Sequence, residues 1–180
     1  MPKFNKILDA GNVEQGYVNV VIEMSSGSTN KIEWRRENGL FELDRVKPQI
    51  FAKPTNYGFV PRTIDEDGDE LDALVITEQP LPTGVYLEGR IVGVMKFEDN
   101  NEIDDKIIVV PKDDLGYVNE MRSLSDIPKT LVDAITHHFT HYKDFKQAGL
   151  THVKGYGDID EAQQVIRESI QRWNDAHKKD

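Results

Sequence analysis

The chain has 180 residues, 38% hydrophobic and 30% charged, with 22 basic against 32 acidic side chains and a formal net charge of −10. That length suits one domain with a full core, so residues 1–180 read as a single domain. The acidic balance and the lack of any Lys/Arg run argue against a nucleic-acid partner, and the absence of cysteine excludes disulfides, thiolate metal sites and cysteine nucleophiles.

The opening stretch MPKFNKILDAGN lacks the apolar run of a signal peptide, and no segment reaches the ~18 apolar residues of a membrane span. A cytoplasmic protein without a membrane partner is expected. Short strands then follow one another at 17–24, 31–35, 40–44, 71–76, 85–97 and 106–110, each bounded by turn residues. The pair Asn38-Gly39 predicts a tight hairpin between the second and third. Strands at this spacing indicate a small barrel or a sandwich. Near residue 126 the period changes. Ile127, Leu131, Ala134, Ile135, His138 and Tyr142 recur at helical spacing behind Ser125-Asp126 and Pro128, which predicts a helix over about 126–143. A second helix is expected behind an Asp158/Glu161 capping box, with Ala162, Val165, Ile166, Ile170 and Trp173 on one face. The pattern is a β core with helices packed against it.

Residues 65–72, DEDGDELD, place six acids in eight positions, and Gly68 lets the backbone bend within the run. Two carboxylates ~4 Å apart repel by roughly 4 kcal/mol at an effective dielectric near 20, so their convergence calls for a cation or open solvent. The nearest bases in sequence, Arg62 and Arg90, give no local neutralisation. An EF-hand is excluded, because with Gly68 at position 6 the twelfth residue is Leu74 where the loop needs Glu. A second acidic turn lies in KFEDNNEIDDKIIVV, residues 96–110. Asp67 and Asp72 are five apart, as are Asp99 and Asp104, so each pair can converge only around a bend. Two such turns at strand ends could share one rim, and an all-oxygen set suits Mg²⁺ or Mn²⁺ completed by phosphate. Lys31, Glu33, Arg45, Lys106 and Lys143 stand where the same rim could gather them. The segment HHFTH sets His137 and His141 four apart, but His138 replaces the glutamate of a zinc-protease helix and no third ligand is evident, so these histidines are expected to flank the core. Phosphate-binding glycine loops and nucleophile elbows are absent from the sequence.

DEDGDELDALV closely resembles the D-x-D-x-x-D signature of the family I soluble inorganic pyrophosphatases, prokaryotic type. The likeness continues through VVIEM, NKIEW, LDR, KPTNYGFVPRT, GVMKFED, DDKIIVVP and THHFTHYKD, in family order over about residues 17–146. It implies a mainly β (α+β) fold: a closed five-stranded OB-like β-barrel with flanking α-helices, two of them in the C-terminal third. It also implies Mg²⁺-dependent hydrolysis of pyrophosphate, with several ions per site, by a homohexamer. By motif position Asp67, Asp72 and Asp104 would hold a first metal, with Asp72 reaching a second. Asp99 and Asp104 would hold a third, and Glu23 and Glu33 would serve the outer sites. Asp69 matches the general base, and Lys31, Arg45, Tyr57, Tyr142 and Lys143 match the phosphate-binding groups, with Lys106 supporting them. Two positions depart from the family pattern: Lys53 stands where many bacterial members have tyrosine, and Gly149 where they often have lysine. A non-catalytic OB-like module that binds a nucleotide or oligonucleotide is the alternative. Asp69 argues against it, since a pure binder has no use for an unpaired acid between ligand acids.

Overall fold

The computed structural model describes residues 3–178. Among the described residues nine strands form: β1 (Tyr17–Met24), β2 (Asn30–Arg35), β3 (Leu40–Val46), β4 (Asn56–Phe59), β5 (Asp72–Val75), β6 (Tyr86–Asp99), β7 (Glu102–Ile103), β8 (Lys106–Pro111) and β9 (Thr151–Gly157). The helices are α1 (Phe4–Ile7), α2 (Lys129–His141) and α3 (Ile159–Ala176). Strands β1, β4, β5, β8 and β6 pair in that order, and β6 returns to β1, which closes a five-stranded barrel as expected. Within this ring only β5 and β8 run parallel. The far end of β6 extends past the ring to pair with β7 and β9, while β2 and β3 form a separate hairpin.

The apolar runs explain how the layers cover one another. Along β8, Ile107 and Val109 join one buried cluster with Ala162 and Ile166 of α3, while Ile108 and Val110 join another with Ile135 and Phe139 of α2. Alternation sends successive side chains to opposite faces, so a strand covered on both sides must be apolar throughout.

Several local expectations need correction. The predicted 126–143 helix is shorter. Ser123 and Asp126 cap a 3-10 turn at Leu124–Asp126, and α2 starts only after Pro128. Its inward face carries Phe139 in place of Ala134, which is exposed. The Asp158/Glu161 capping box forms as predicted. At Asn38-Gly39 only Gly39 adopts positive φ, and four residues connect the strands. The tight two-residue turn lies instead at Asn100-Asn101, φ 52° and 66°, between β6 and β7. Strands β4, β7 and β9 lie outside the predicted set.

Gly58 sits opposite Ile22 where β1 meets β4, and a Cβ there would lie 1.9 Å from the Val21 carbonyl oxygen. Gly58→Ala must therefore push β1 and β4 apart, with a cost of about 1–3 kcal/mol or more. A melting midpoint several degrees lower is expected in thermal denaturation. An unchanged midpoint would mean that the strands separate there without cost.

Candidate active site

One cavity of about 280 Å³ opens between the mouth of the barrel, the β2–β3 hairpin and the end of α2. Its walls hold Glu23, Lys31, Glu33, Arg45, Tyr57, Asp67, Asp69, Asp72, Asp99, Asp104, Tyr142 and Lys143. Among the residues expected at the site only Lys106 lies off this surface. It is 1% exposed and sits directly behind the cavity.

The register explains how the acids meet. Asp72 opens β5 and pairs across the ladder with Lys106, the first residue of β8. The Lys106 ammonium donates to Asp72 Oδ2 at 2.6 Å and to Asp104 Oδ1, and the Tyr57 hydroxyl from β4 donates to the same Asp72 oxygen. Burial opposes the charge on Lys106, yet the Asp104 and Asp72 carboxylates outweigh it and raise the ammonium above its ordinary value. Asp99 ends β6, and the Asn100-Asn101 turn folds the chain back so that the Asp104 N–H donates to the Phe97 carbonyl at 3.0 Å. Both acids of the second turn thus reach the rim that Asp72 occupies. Asp99 accepts from Lys143 Nζ at 2.6 Å and from the Tyr142 hydroxyl at 3.0 Å.

The hairpin supplies the facing wall. Lys31 and Arg45 are cross-strand partners; Lys31 pairs with Glu33 and lies 3.3 Å from Asp44, while Arg45 donates to Asp44 at 2.7 Å. Glu23 on β1 is 8% exposed and accepts the Trp34 N–H at 2.7 Å. Burial pushes its carboxyl up to about 8 against the opposing pull of that hydrogen bond. Burial likewise raises Asp104, with Lys106 opposing, and raises Asp69, where Asp67 and Glu70 add their repulsion. The Asp69 carboxylate takes no hydrogen bond and no ion pair among the described residues, although its own N–H donates to Asp67 Oδ1 at 3.0 Å.

Among the described residues no local base neutralises the acidic loop, as expected, and bases far away in sequence hold it instead. Arg36, on the turn after β2, donates to both Glu70 oxygens at 2.8 and 3.0 Å. Arg172 of α3 donates to the Ile64 carbonyl at 2.7 Å and to Asp65 at 3.1 Å, and the Ile64 N–H donates to the Ser169 carbonyl at 3.0 Å. Arg62 instead donates to the carbonyls of Asn5 and Lys6.

Lys47 and Lys53 also line the cavity. Lys47 follows Arg45 by two residues, just past the end of β3, and that spacing could have marked it as a neighbour on the same face. Gly149 has φ 79° in an exposed turn before β9 and does not line the cavity. His138 is buried as expected, but His137 and His141 are exposed.

Among the described residues, no three acids or histidines close around a point tightly enough to grip an ion. Ammonium groups of Lys106, Lys143 and Lys31 bridge or cap the carboxylates instead. The chemistry of the donor set nonetheless fits a hard divalent cation: carboxylate oxygens supplied from β1, β2, β5, β6 and the two acidic turns, several of them penalised by burial or by one another.

The family model described as inorganic pyrophosphatase matches residues 20–174. A protein of Neisseria meningitidis serogroup B named inorganic pyrophosphatase is 59% identical, over 97% of this chain and 98% of its own length. One from Haemophilus influenzae with the same name is 57% identical, over 97% and 99%. The crystal structure of an inorganic pyrophosphatase from Neisseria gonorrhoeae superposes with a TM-score of 0.93 at 58% identity, over 95% of this chain and 99% of that one. The Thermus thermophilus inorganic pyrophosphatase gives 0.87 at 36% identity, over 93% and 97%. Sequence and backbone agree over nearly the whole length, and the chain belongs to the inorganic pyrophosphatase family.

Proposed function

We propose that this chain hydrolyses inorganic pyrophosphate to two orthophosphates using Mg²⁺, several ions per site, with Mn²⁺ as an alternative. In this reading residues 1–180 act as one domain within a cytoplasmic homohexamer. The observation that carries the activity is the meeting of an acidic wall and a basic wall in one cavity, with the unpaired Asp69 carboxylate between acids. Exposed Leu43, Ile50 and Leu115 support assembly, because neighbouring copies would cover them. The cysteine-free sequence suits a reducing compartment.

Asp67, Asp72, Asp99, Asp104, Glu23 and Glu33 would hold the ions. When bound, Mg²⁺ lowers the pKa of its water and offsets the negative charge of the phosphoryl groups. Lys31, Arg45, Tyr142 and Lys143 bind and orient the phosphoryl oxygens, and Tyr57 fixes Asp72 while facing the same space. Asp69 accepts a proton from the attacking water. The water oxygen bonds to one phosphorus, the bridging P–O bond breaks, and the second phosphate leaves with the bridging oxygen. Lys106 bridges Asp72 and Asp104 from behind and offsets their mutual repulsion. A non-catalytic nucleotide-binding barrel is not favoured, since neither the free Asp69 nor the net charge of −10 serves it.

The test is phosphate release from pyrophosphate by the dialysed protein, with Mg²⁺ and with excess EDTA. Turnover with Mg²⁺ and none with the chelator is expected. Full turnover in EDTA would overturn the metal requirement, and no turnover with either Mg²⁺ or Mn²⁺ would overturn the activity.

A further inference from the structure

Lys47 and Lys53 differ from Lys31, Arg45 and Lys143 of the basic wall. Lys31, Arg45 and Lys143 each have a carboxylate partner. Lys47 and Lys53 line the same cavity, yet among the described residues neither ammonium makes an ion pair or a hydrogen bond. Both lie on aromatic faces: Lys53 Nζ is 4.0 Å from the Tyr57 ring centre and 5.8 Å from that of Tyr142, and Lys47 Nζ is 4.4 Å from the Tyr142 centre.

Their backbones are fixed. The Lys47 N–H donates to the Thr29 carbonyl and the Lys53 N–H to the Ser28 carbonyl, both at 3.0 Å, so one loop between β1 and β2 anchors the two residues. A ring face attracts an ammonium but leaves most of its three N–H donors without an acceptor. Burial drives both groups below their ordinary values, Lys53 to about 7 and Lys47 to about 8, and repulsion from neighbouring cations adds to it. An anion seated between them would relieve both penalties.

We propose that Lys47 and Lys53 form an additional phosphoryl subsite, which takes a phosphate dianion beyond the groups held by Lys31, Arg45, Tyr142 and Lys143. This rests on the pyrophosphatase reading and deepens it. Two sources share the chemistry: product orthophosphate retained after cleavage, and the terminal phosphoryl of a longer linear polyphosphate. The geometry favours an oxyanion over a neutral ligand, because unpaired cationic donors line the space and Tyr142 stands between the two lysines and Asp99.

The experiment measures inhibition of pyrophosphate hydrolysis by orthophosphate and by tripolyphosphate, for the unaltered protein, Lys47→Met, Lys53→Met and Lys53→Arg. Methionine keeps an apolar stem of similar length without the charge. Each methionine variant should raise at least one of the two inhibition constants about tenfold, the loss expected for a charge-assisted hydrogen bond, and Lys53→Arg should restore it. A rise for orthophosphate alone identifies product retention. A rise for tripolyphosphate identifies the longer chain. If Lys53→Met fails to fold, Lys47→Met and orthophosphate calorimetry on Lys53→Arg carry the test. Constants that stay within about threefold in every folded variant overturn the subsite while leaving hydrolysis intact, and absence of hydrolysis in the unaltered protein overturns the activity instead.

Discussion

Replacing Asp72 with asparagine should lower kcat/KM for pyrophosphate on the order of 10³-fold, while Asp65→Asn, seven residues earlier in the same acidic run, should leave it nearly unchanged. Asp72 lines the cavity and receives Lys106 Nζ at 2.6 Å together with the Tyr57 hydroxyl. The amide removes the negative charge that an ion would meet and leaves the buried Lys106 with Asp104 as its sole anionic partner among the described residues. Breaking a buried pair from one side costs about 3–5 kcal/mol of folding stability, while losing a carboxylate that would hold an ion removes about 4 kcal/mol of transition-state charge stabilisation, near 10³-fold in rate. Asp65 lies off the cavity surface, 4% exposed, and faces Arg172 on α3. Its asparagine variant keeps an oxygen for the guanidinium, so the effect should fall on the melting midpoint. Steady-state kinetics and thermal denaturation of both variants separate the two outcomes. Equal kinetic losses in folded proteins would show that roles within the loop are assigned wrongly.

Asp69→Asn should reduce kcat by on the order of 10² to 10⁴-fold with KM largely retained. Of the loop acids that line the cavity, Asp69 is the one whose carboxylate makes neither a hydrogen bond nor an ion pair among the described residues: Asp67 accepts the Asp69 N–H, Glu70 faces Arg36 and Asp72 faces Lys106. A carboxylate left unpaired among acids is basic enough to accept a proton and close enough to the cavity to reach a water there. The amide has nearly the same shape and cannot take the proton. Substrate contacts made by Lys31, Arg45 and Lys143 would survive. A variant that loses binding while keeping turnover would move Asp69 to a ligand role.

The barrel was legible wherever strands carried long apolar runs, as in VYLEGRIVGVMKF and KIIVV, because burial on both faces leaves no polar alternative. Strand β4 is hard to see in one dimension, since NYGF is four residues long and includes Gly58, chosen for close approach at the expense of strand propensity. Strand β9, THVKGYG, has two glycines and alternates with exposed polar residues at the end of the sheet. The acids of the cavity were visible because charge clustered against its own repulsion is conspicuous along a chain. Arg36 and Arg172 were not, because their partners lie 34 and 107 residues away and only the folded chain brings them together. Lys47 was visible only as an ordinary lysine until Tyr142 appeared beneath it.

The clamp between Arg172 and Ile64 also orders events in time. During synthesis the acidic run emerges long before the segment that fastens it, since Ser169 and Arg172 follow more than a hundred residues later. Until α3 docks, neither the Ser169 carbonyl nor the Arg172 guanidinium holds the base of the loop, and its carboxylates repel one another as a loose polyanion. The base of the acidic loop is therefore fastened only after a segment more than a hundred residues further along the chain has folded onto it.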